Sequence, residues 1–281
     1  MKSTIQYIET ELAGLYPPAE IEGFKRIIFE TVFGWNFTDQ VLKKQETILP
    51  VDFERIKSIV LRLKNSEPIQ YIFGETEFFG LKLKVNSSVL IPRPETEELV
   101  DWVVQSKLSE NCKVLDIGTG SGCIAIAIKS RLKNTEVSGI DISVEALETA
   151  RMNAIENGLE INFYPADIFN MKNFEGEKFD VIVSNSPYIR ESEKVLMHSN
   201  VLDYEPEIAL FVSDNDPLKY YREIARFAKS NLYDNGKLFF EINENFKSEM
   251  VELLSDIGFN NIEIRKDING KNRMVSCLKG I

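Results

Sequence analysis

Residues 113–133 read KVLDIGTGSGCIAIAIKSRLK, and the fold turns on how that stretch is divided. The run "KVLDIG" has the length and apolar character of a buried strand, and "GCIAIAIKSRLK" is long enough for a helix. Between them Gly118, Gly120 and Gly122 stand at alternate positions, separated by Thr119 and Ser121. Glycines so placed permit a tight turn and let backbone N–H groups approach a ligand at the positive end of the helix. The spacing is GxGxG and not GxGxxG, so the dinucleotide fingerprint is not met.

The alternation continues downstream. "EVSGID" (136–141), "INFYPAD" (161–167) and "KFDVIVSN" (178–185) read as strands, and "VEALETARMNAIENG" (144–158) as the helix after the first of them. A βαβαβ order with short turns predicts an α/β fold with a parallel, doubly wound sheet whose ligands sit at the carboxyl ends of its strands. Beyond it, "PLKYYREIARFAKSNL", "KLFFEIN", "FKSEMVELLSDIG", "IEIRKDI" and "NRMVSCL" supply helix, strand, helix, strand and strand, so the sheet is expected to end in an antiparallel hairpin.

Those strand ends carry polar groups. Asp141 closes the second strand, where a carboxylate can take both ribose hydroxyls of an adenosine. Asp167 closes the third beside Ile168 and Phe169, an acceptor next to apolar side chains where an adenine would lie. Either aspartate alone reads equally well as a helix cap. Three successive strand ends bearing such groups point to a nucleoside site. The fourth strand ends in Asn185-Ser186-Pro187-Tyr188, which by itself is an Asn-Ser-Pro turn with a surface tyrosine.

Upstream the period is helical. "TIQYIETEL", "AEIEGFKRIIFETVFG", "FTDQVLKKQETIL" and "DFERIKSIVLRLKN" place apolar residues three or four apart, with Pro17-Pro18, Gly34 and Pro50 between them, which predicts four short helices. "EFFGLKLKVN" (77–86) then alternates, and Gly80 suggests a hairpin turn. Pro92 and Pro94 hold the chain extended before a helix starting near Thr96. The expected division is a helical docking domain at 1–72, a β-hairpin linker at 73–94 and the sheet domain at 95–281.

Composition narrows the function classes. A chain of 281 residues with 43% hydrophobic and 27% charged residues is that of a soluble two-domain protein. The opening "MKSTIQYIETELAG" has no long apolar run, so neither a signal peptide nor a membrane span is expected and the location expected is cytoplasmic. Cys112, Cys123 and Cys277 lack CxxC spacing, which suits reduced thiols and neither a disulfide frame nor a zinc site; no metal is expected. The single histidine, His198, lies in a polar stretch and reads as a solvated loop residue. The net charge of −11 opposes a polyanionic partner. Residues 1–95 are nearly balanced, with 12 basic and 13 acidic side chains, so the excess lies in the second part.

Glycine turn, ribose acid and adenine acid in this order resemble the class I S-adenosylmethionine-dependent methyltransferases over residues 113–281. "NSPY" resembles the Asn/Asp-Pro-Pro-Tyr signature of members that act on planar, amide-like nitrogens. "EPIQYIFGETEFFGLKLKVNSSVLIPRPETEELV", "YEPEIALF" and "INGKNRMVSC" extend the likeness to nearly the whole chain, and there it is to the HemK/PrmC family of protein glutamine-N methyltransferases. That resemblance implies a seven-stranded Rossmann-like sheet, S-adenosyl-L-methionine as methyl donor with S-adenosyl-L-homocysteine as product, and peptide chain release factors as protein substrates. It implies cofactor binding by Gly118, Thr119, Gly120, Ser121, Gly122, Asp141, Asp167, Ile168 and Asn185. It implies that Asn185 and the backbone carbonyl of Ser186, followed by Pro187, receive the substrate amide, with the Tyr188 ring packed on it. Arg93 and Glu97 of "IPRPETE" would hold the pocket or protein substrate, or fix the linker. Two departures stand out: Ser186 replaces the family's usual first proline, and Asn243 replaces its usual glycine after Glu-Ile. A ribosomal-protein glutamine methyltransferase, a nucleic-acid adenine or cytosine amino-methyltransferase, and a noncatalytic S-adenosylmethionine-binding module remain as alternatives.

Overall fold

A computed structural model of the chain describes every residue except 110, 172, 173, 175 and 281. It divides into two compact units: Met1–Gly74 with His198–Tyr204, and Glu75–Met197 with the residues from Glu205 on.

The smaller unit contains α1 (Lys2–Leu12), α2 (Pro18–Phe33), α3 (Phe37–Leu42), α4 (Pro50–Lys64) and α5 (Ile69–Phe73). Proline occupies the first helical position of α2 and α4, where its missing N–H costs no hydrogen bond. Asn36 and Asp39 form a reciprocal capping box on α3. Ile8, Leu12, Ile28, Phe29, Ile56 and Leu63 form the core of this unit. The single turn α5 adds a fifth helix to the four expected. Residues 43–49, expected to continue the third helix, are turn and coil.

In the larger unit, β1 (Glu75–Phe78) and β2 (Leu81–Lys84) form an antiparallel hairpin. Both turn residues, Phe79 and Gly80, have positive φ (54° and 75°), the geometry of the tight turns that suit hairpin twist. The hairpin is fastened to its own unit: Asn153 accepts from the Lys84 N–H at 2.5 Å and donates to the Lys84 carbonyl at 3.0 Å. It thus belongs with the sheet domain, and the segment 198–204 belongs with the helices, whereas the expected boundaries ran strictly along the chain.

Next come α6 (Pro94–Gln105), β3 (Lys113–Ile117), α7 (Cys123–Arg131), β4 (Glu136–Asp141), α8 (Val144–Glu156), β5 (Asn162–Pro165), β6 (Phe179–Ser184) and β7 (Ile189–Arg190). They are followed by α9 (Ser199–Leu202), which lies in the smaller unit, and then by α10 (Glu207–Leu210), β8 (Phe211–Val212), α11 (Lys219–Asn231), β9 (Leu232–Glu241), α12 (Lys247–Ile257), β10 (Phe259–Lys266) and β11 (Asn272–Lys279). The seven-stranded sheet has the order β10-β11-β9-β6-β3-β4-β5. Its strands run parallel except β11, which is antiparallel to both β9 and β10. The expected terminal hairpin is therefore present, with its last strand inserted beside β9.

Both faces of the sheet are covered. Val114, Val181 and Val183 face Leu99, Ile124, Ile128 and Leu147 on one side. Leu115, Ile117 and Ile182 face Tyr221, Ile224, Met250 and Leu254 on the other. Strands buried on two faces read as continuous apolar runs, which is why "KVLDI" and "FDVIVS" do not alternate. The strand order reverses between β3 and β6, and in such sheets ligands bind at the carboxyl edge beside that switch.

Candidate active site

A cavity of about 220 Å³ opens at this edge, within the larger unit. Its walls come from the turn after β3, the ends of β4 and β5, the loop after β6, residues 88–96, and the starts of α10 and α11. Every residue expected at the site from the sequence lines it except Glu97, Gly122 and Tyr188.

The β3–α7 turn is held by its backbone. The N–H groups of Gly118 and Thr119 both donate to the Ile140 carbonyl at 2.9 Å, and Gly120 N–H donates to Asp141 Oδ2 at 2.9 Å. Gly120 adopts φ 54°, which a side chain would strain. Gly122 also serves packing: besides its φ of 81°, a Cβ there would come within 3.0 Å of Ile126 Cδ1 and 3.1 Å of Ala150 Cβ, so the glycine lets α7 start against α8. Ser121 Oγ, on the cavity wall, and Asp116 Oδ1 are buried without a hydrogen-bond partner among the described residues.

The acids differ in how they are held. Asp141 accepts from Gly120 N–H through one oxygen and from Ser143 N–H through the other, at 2.9 Å each. Each oxygen keeps a lone pair free for a ligand hydroxyl. Burial pushes its carboxyl above the usual range, and the backbone N–H bonds oppose that rise. Asp167 accepts from Phe169 N–H at 2.9 Å, and Phe169 packs against Tyr220 with ring centres 5.4 Å apart. Asp116 is wholly buried, and burial raises its carboxyl to about 7 despite bonds from the Thr119 hydroxyl and Ala125 N–H.

The loop after β6 is held by side chains. Asn185 Nδ2 donates to Thr96 Oγ1 at 3.1 Å, and Thr96 Oγ1 donates to Glu241 Oε2 at 2.6 Å. The Tyr188 hydroxyl donates to Glu241 Oε1 at 2.9 Å. Tyr188 is therefore tied by its hydroxyl to the end of β9 and stands off the cavity wall, where its ring was expected to meet the substrate. Asn243 Nδ2 donates to the Tyr188 carbonyl at 3.2 Å and to Glu193 Oε2 at 3.2 Å. A glycine at 243 would make neither bond. Among the described residues Asn185 Oδ1 accepts no hydrogen bond, and Asn185, Ser186 and Pro187 all line the cavity. Burial pushes the Glu241 carboxyl up, opposed by the Thr96 and Tyr188 hydroxyls and by Arg273.

Glu97 and Arg93 take fixing roles. Glu97 Oε1 accepts from Phe79 N–H at 2.6 Å in the hairpin turn. Arg93 pairs with buried Glu205 at 2.6 Å, and Glu205 also accepts from Ile91 N–H at 3.1 Å, which holds "IPRP" against the cavity. Thr96, Glu241 and Glu205 were given no role from the sequence, although Glu205 lies in the family-like "YEPEIALF". Glu241 did leave a sign there, as the one acid closing the apolar run "KLFFE". His198 is exposed at the N-cap of α9, and among the described residues no three His, Cys, Asp or Glu side chains gather as a metal site would need.

Comparison with known proteins bears on this arrangement. Residues 108–256 match the model of a methyltransferase domain, and residues 4–74 match the PrmC N-terminal domain. A release factor glutamine methyltransferase of Flavobacterium psychrophilum is 46% identical over 274 residues, covering 96% of this chain and 95% of that protein. One from Bacteroides thetaiotaomicron is 41% identical over 99% of both chains, and one from Lactococcus lactis is 39% identical over 97% of this chain and 98% of its own. A crystal structure of a methyltransferase from Pyrococcus furiosus superposes with a TM-score of 0.55 at 18% identity, over 81% of this chain and 99% of that one, and this likeness speaks to the fold alone. The chain belongs to the family of release factor glutamine methyltransferases.

Proposed function

We propose that this member of the family transfers a methyl group from S-adenosyl-L-methionine to the side-chain amide nitrogen of the glutamine in the Gly-Gly-Gln loop of a peptide chain release factor. The observation that carries the reading is the state of Asn185: its amide NH2 is taken up by Thr96, and its carbonyl oxygen is left without a partner beside the cavity.

The donor set suits an adenosyl methyl donor. Asp141 has lone pairs left for ribose hydroxyls, Ile168 and Phe169 with Asp167 offer an apolar slot with an acceptor, and Ser121 Oγ is a buried hydroxyl in want of a partner. When bound, S-adenosyl-L-methionine supplies an electrophilic methyl on a sulfonium and leaves as S-adenosyl-L-homocysteine.

The protein's task is the nucleophile. A carboxamide nitrogen has its lone pair delocalised into the carbonyl, and no ordinary base restores it. Two fixed acceptors, Asn185 Oδ1 and the Ser186 carbonyl, draw on the two N–H hydrogens, orient the group and favour the pyramidal nitrogen of the transition state, and the methylated nitrogen gives up one of those hydrogens as a proton to solvent. Serine in place of proline at 186 keeps that carbonyl, and Pro187 restricts Ser186 to extended backbone. The small helical unit docks the protein substrate, and the enzyme works in the cytoplasm on release factors and not on nucleic acid or membrane. No helix among the described residues is long and apolar enough to cross a membrane.

Incubation with methyl-labelled S-adenosyl-L-methionine tests the assignment against three acceptors: a release factor, the same factor with its Gly-Gly-Gln glutamine replaced by alanine, and a mixture of tRNA and DNA. Label in the first alone is expected. Label in the altered factor or the nucleic acids contradicts the reading.

A further inference from the structure

Asn185 can serve as an acceptor only if its amide is turned the right way round, and two residues outside the loop decide this. Thr96 and Glu241 are each only 1% exposed. A threonine hydroxyl has one proton, and that of Thr96 goes to Glu241 Oε2 at 2.6 Å. What Thr96 has left is lone pairs, so the end of Asn185 that faces it has to be the one carrying N–H. Rotating the amide by half a turn would set the Asn185 oxygen against the lone pairs of Thr96. The other oxygen of Glu241 takes the Tyr188 hydroxyl at 2.9 Å, so a single carboxylate grips the loop at both ends, 185 through Thr96 and 188 directly. A carboxyl buried at the end of β9 is costly unless both oxygens are used, and here both are used on groups that touch this loop.

We propose that Thr96 and Glu241 are positioning residues for methyl transfer: the Glu241 carboxylate fixes the direction of the Thr96 hydroxyl, which fixes Asn185 with its oxygen toward the substrate amide. The proposal rests on Asn185 acting as the amide acceptor, so Asn185→Ala is measured alongside. Thr96→Val removes the hydroxyl at nearly constant shape, and Thr96→Ser restores it.

Three quantities are compared in wild type, Thr96→Val, Thr96→Ser, Glu241→Gln and Asn185→Ala: the single-turnover rate on a release factor, the calorimetric Kd for S-adenosyl-L-methionine, and the Asn185 side-chain N–H resonances in protein labelled with ¹⁵N-asparagine. Misorienting a contact group costs roughly 10- to 100-fold in rate, which is the loss expected of Thr96→Val. Thr96→Ser should return to within a few-fold of wild type, with the Kd nearly unchanged in the Thr96 and Glu241 variants. Glu241→Gln cannot accept from both hydroxyls in full and should slow the reaction as well. The Asn185 N–H signals, identified by their loss in Asn185→Ala, stay separate in every variant because rotation about the amide C–N bond is slow, but the hydrogen-bonded one should exchange slowly with solvent in wild type and shift and exchange faster in Thr96→Val.

If Asn185→Ala is slow while Thr96→Val and Glu241→Gln keep the wild-type rate, the positioning role is wrong and the acceptor role stands. If Asn185→Ala itself keeps the rate, the acceptor role is wrong and the proposal goes with it. If Thr96→Val does not fold, Glu241→Gln decides: shifted, faster-exchanging Asn185 signals with a slow rate in Glu241→Gln support the proposal, and unchanged signals and rate overturn it.

Discussion

The two halves of the cavity are built by different means. On the cofactor side the glycine turn is held by backbone N–H groups, two to the Ile140 carbonyl and one to Asp141. On the amide side the loop 185–188 is held by side chains from α6, β9 and the segment after β9: Thr96, Glu241 and Asn243. Backbone geometry is insensitive to most substitutions, so the cofactor side tolerates variation around its glycines and acids. A side-chain relay depends on every member, so the amide side is where single changes should alter chemistry without altering the fold.

The largest effect should follow from Asn185→Ala. Loss of one preorganised transition-state contact lowers the single-turnover rate by roughly 100-fold or more, and, if Asn185 belongs to the amide side and not to the cofactor contacts the resemblance implied, the calorimetric Kd for S-adenosyl-L-methionine should hardly move. A large change in Kd would join the two halves into one and break the comparison.

Asp116 sharpens it from the cofactor side, as a buried carboxyl held there with one unpartnered oxygen. Its carboxyl is raised to about 7 by burial, above its ordinary value. Its protonated form is thus the one the fold favours, and its contribution to stability is full at acid pH and is lost as pH rises through about 7. The Tm of Asp116→Asn relative to wild type should therefore climb as pH rises from about 4 to 7, by an amount on the order of 3 kcal/mol in stability. A flat difference across that window would mean that the buried carboxyl is not the cause.

Asp141→Ala removes the acid that ties the glycine turn and offers lone pairs to the cavity. Cofactor affinity should fall by roughly 1 to 3 kcal/mol, read by calorimetric titration, while the circular dichroism spectrum stays that of the folded protein. Unchanged affinity would take Asp141 out of the site.

What was legible in the sequence follows the same division. The strand, glycine turn and helix at 113–131 lie within one short stretch, and Asp141 and Asp167 follow at successive strand ends, so local pattern sufficed. The relay was not legible because its members are brought together only by the fold: 145 residues separate Thr96 from Glu241, and 89 separate Thr96 from Asn185. Tyr188 shows the limit of a motif, since "NSPY" pointed to its ring and gave no sign that its hydroxyl would bond to Glu241. The short elements α5, β7, α9, α10 and β8 escaped notice because two to five residues are too few to display a period. Gly122 reads as part of a ligand-binding turn, and that it also serves the contact of α7 with α8 is visible only in coordinates.

The smallest effect is expected at Ser186. Ser186→Pro keeps the carbonyl and stiffens the loop, so the rate should stay the same or rise slightly in the single-turnover assay. A pronounced loss would show that the Ser186 N–H or its buried hydroxyl has a part of its own.

The most direct test of the whole account is to locate the methyl group. A release factor methylated by this protein is digested and its peptides are sequenced by fragmentation in a mass spectrometer. One added methyl on the side-chain nitrogen of the Gly-Gly-Gln glutamine is the predicted result, and a methyl on any other residue, or none on the protein at all, would contradict it.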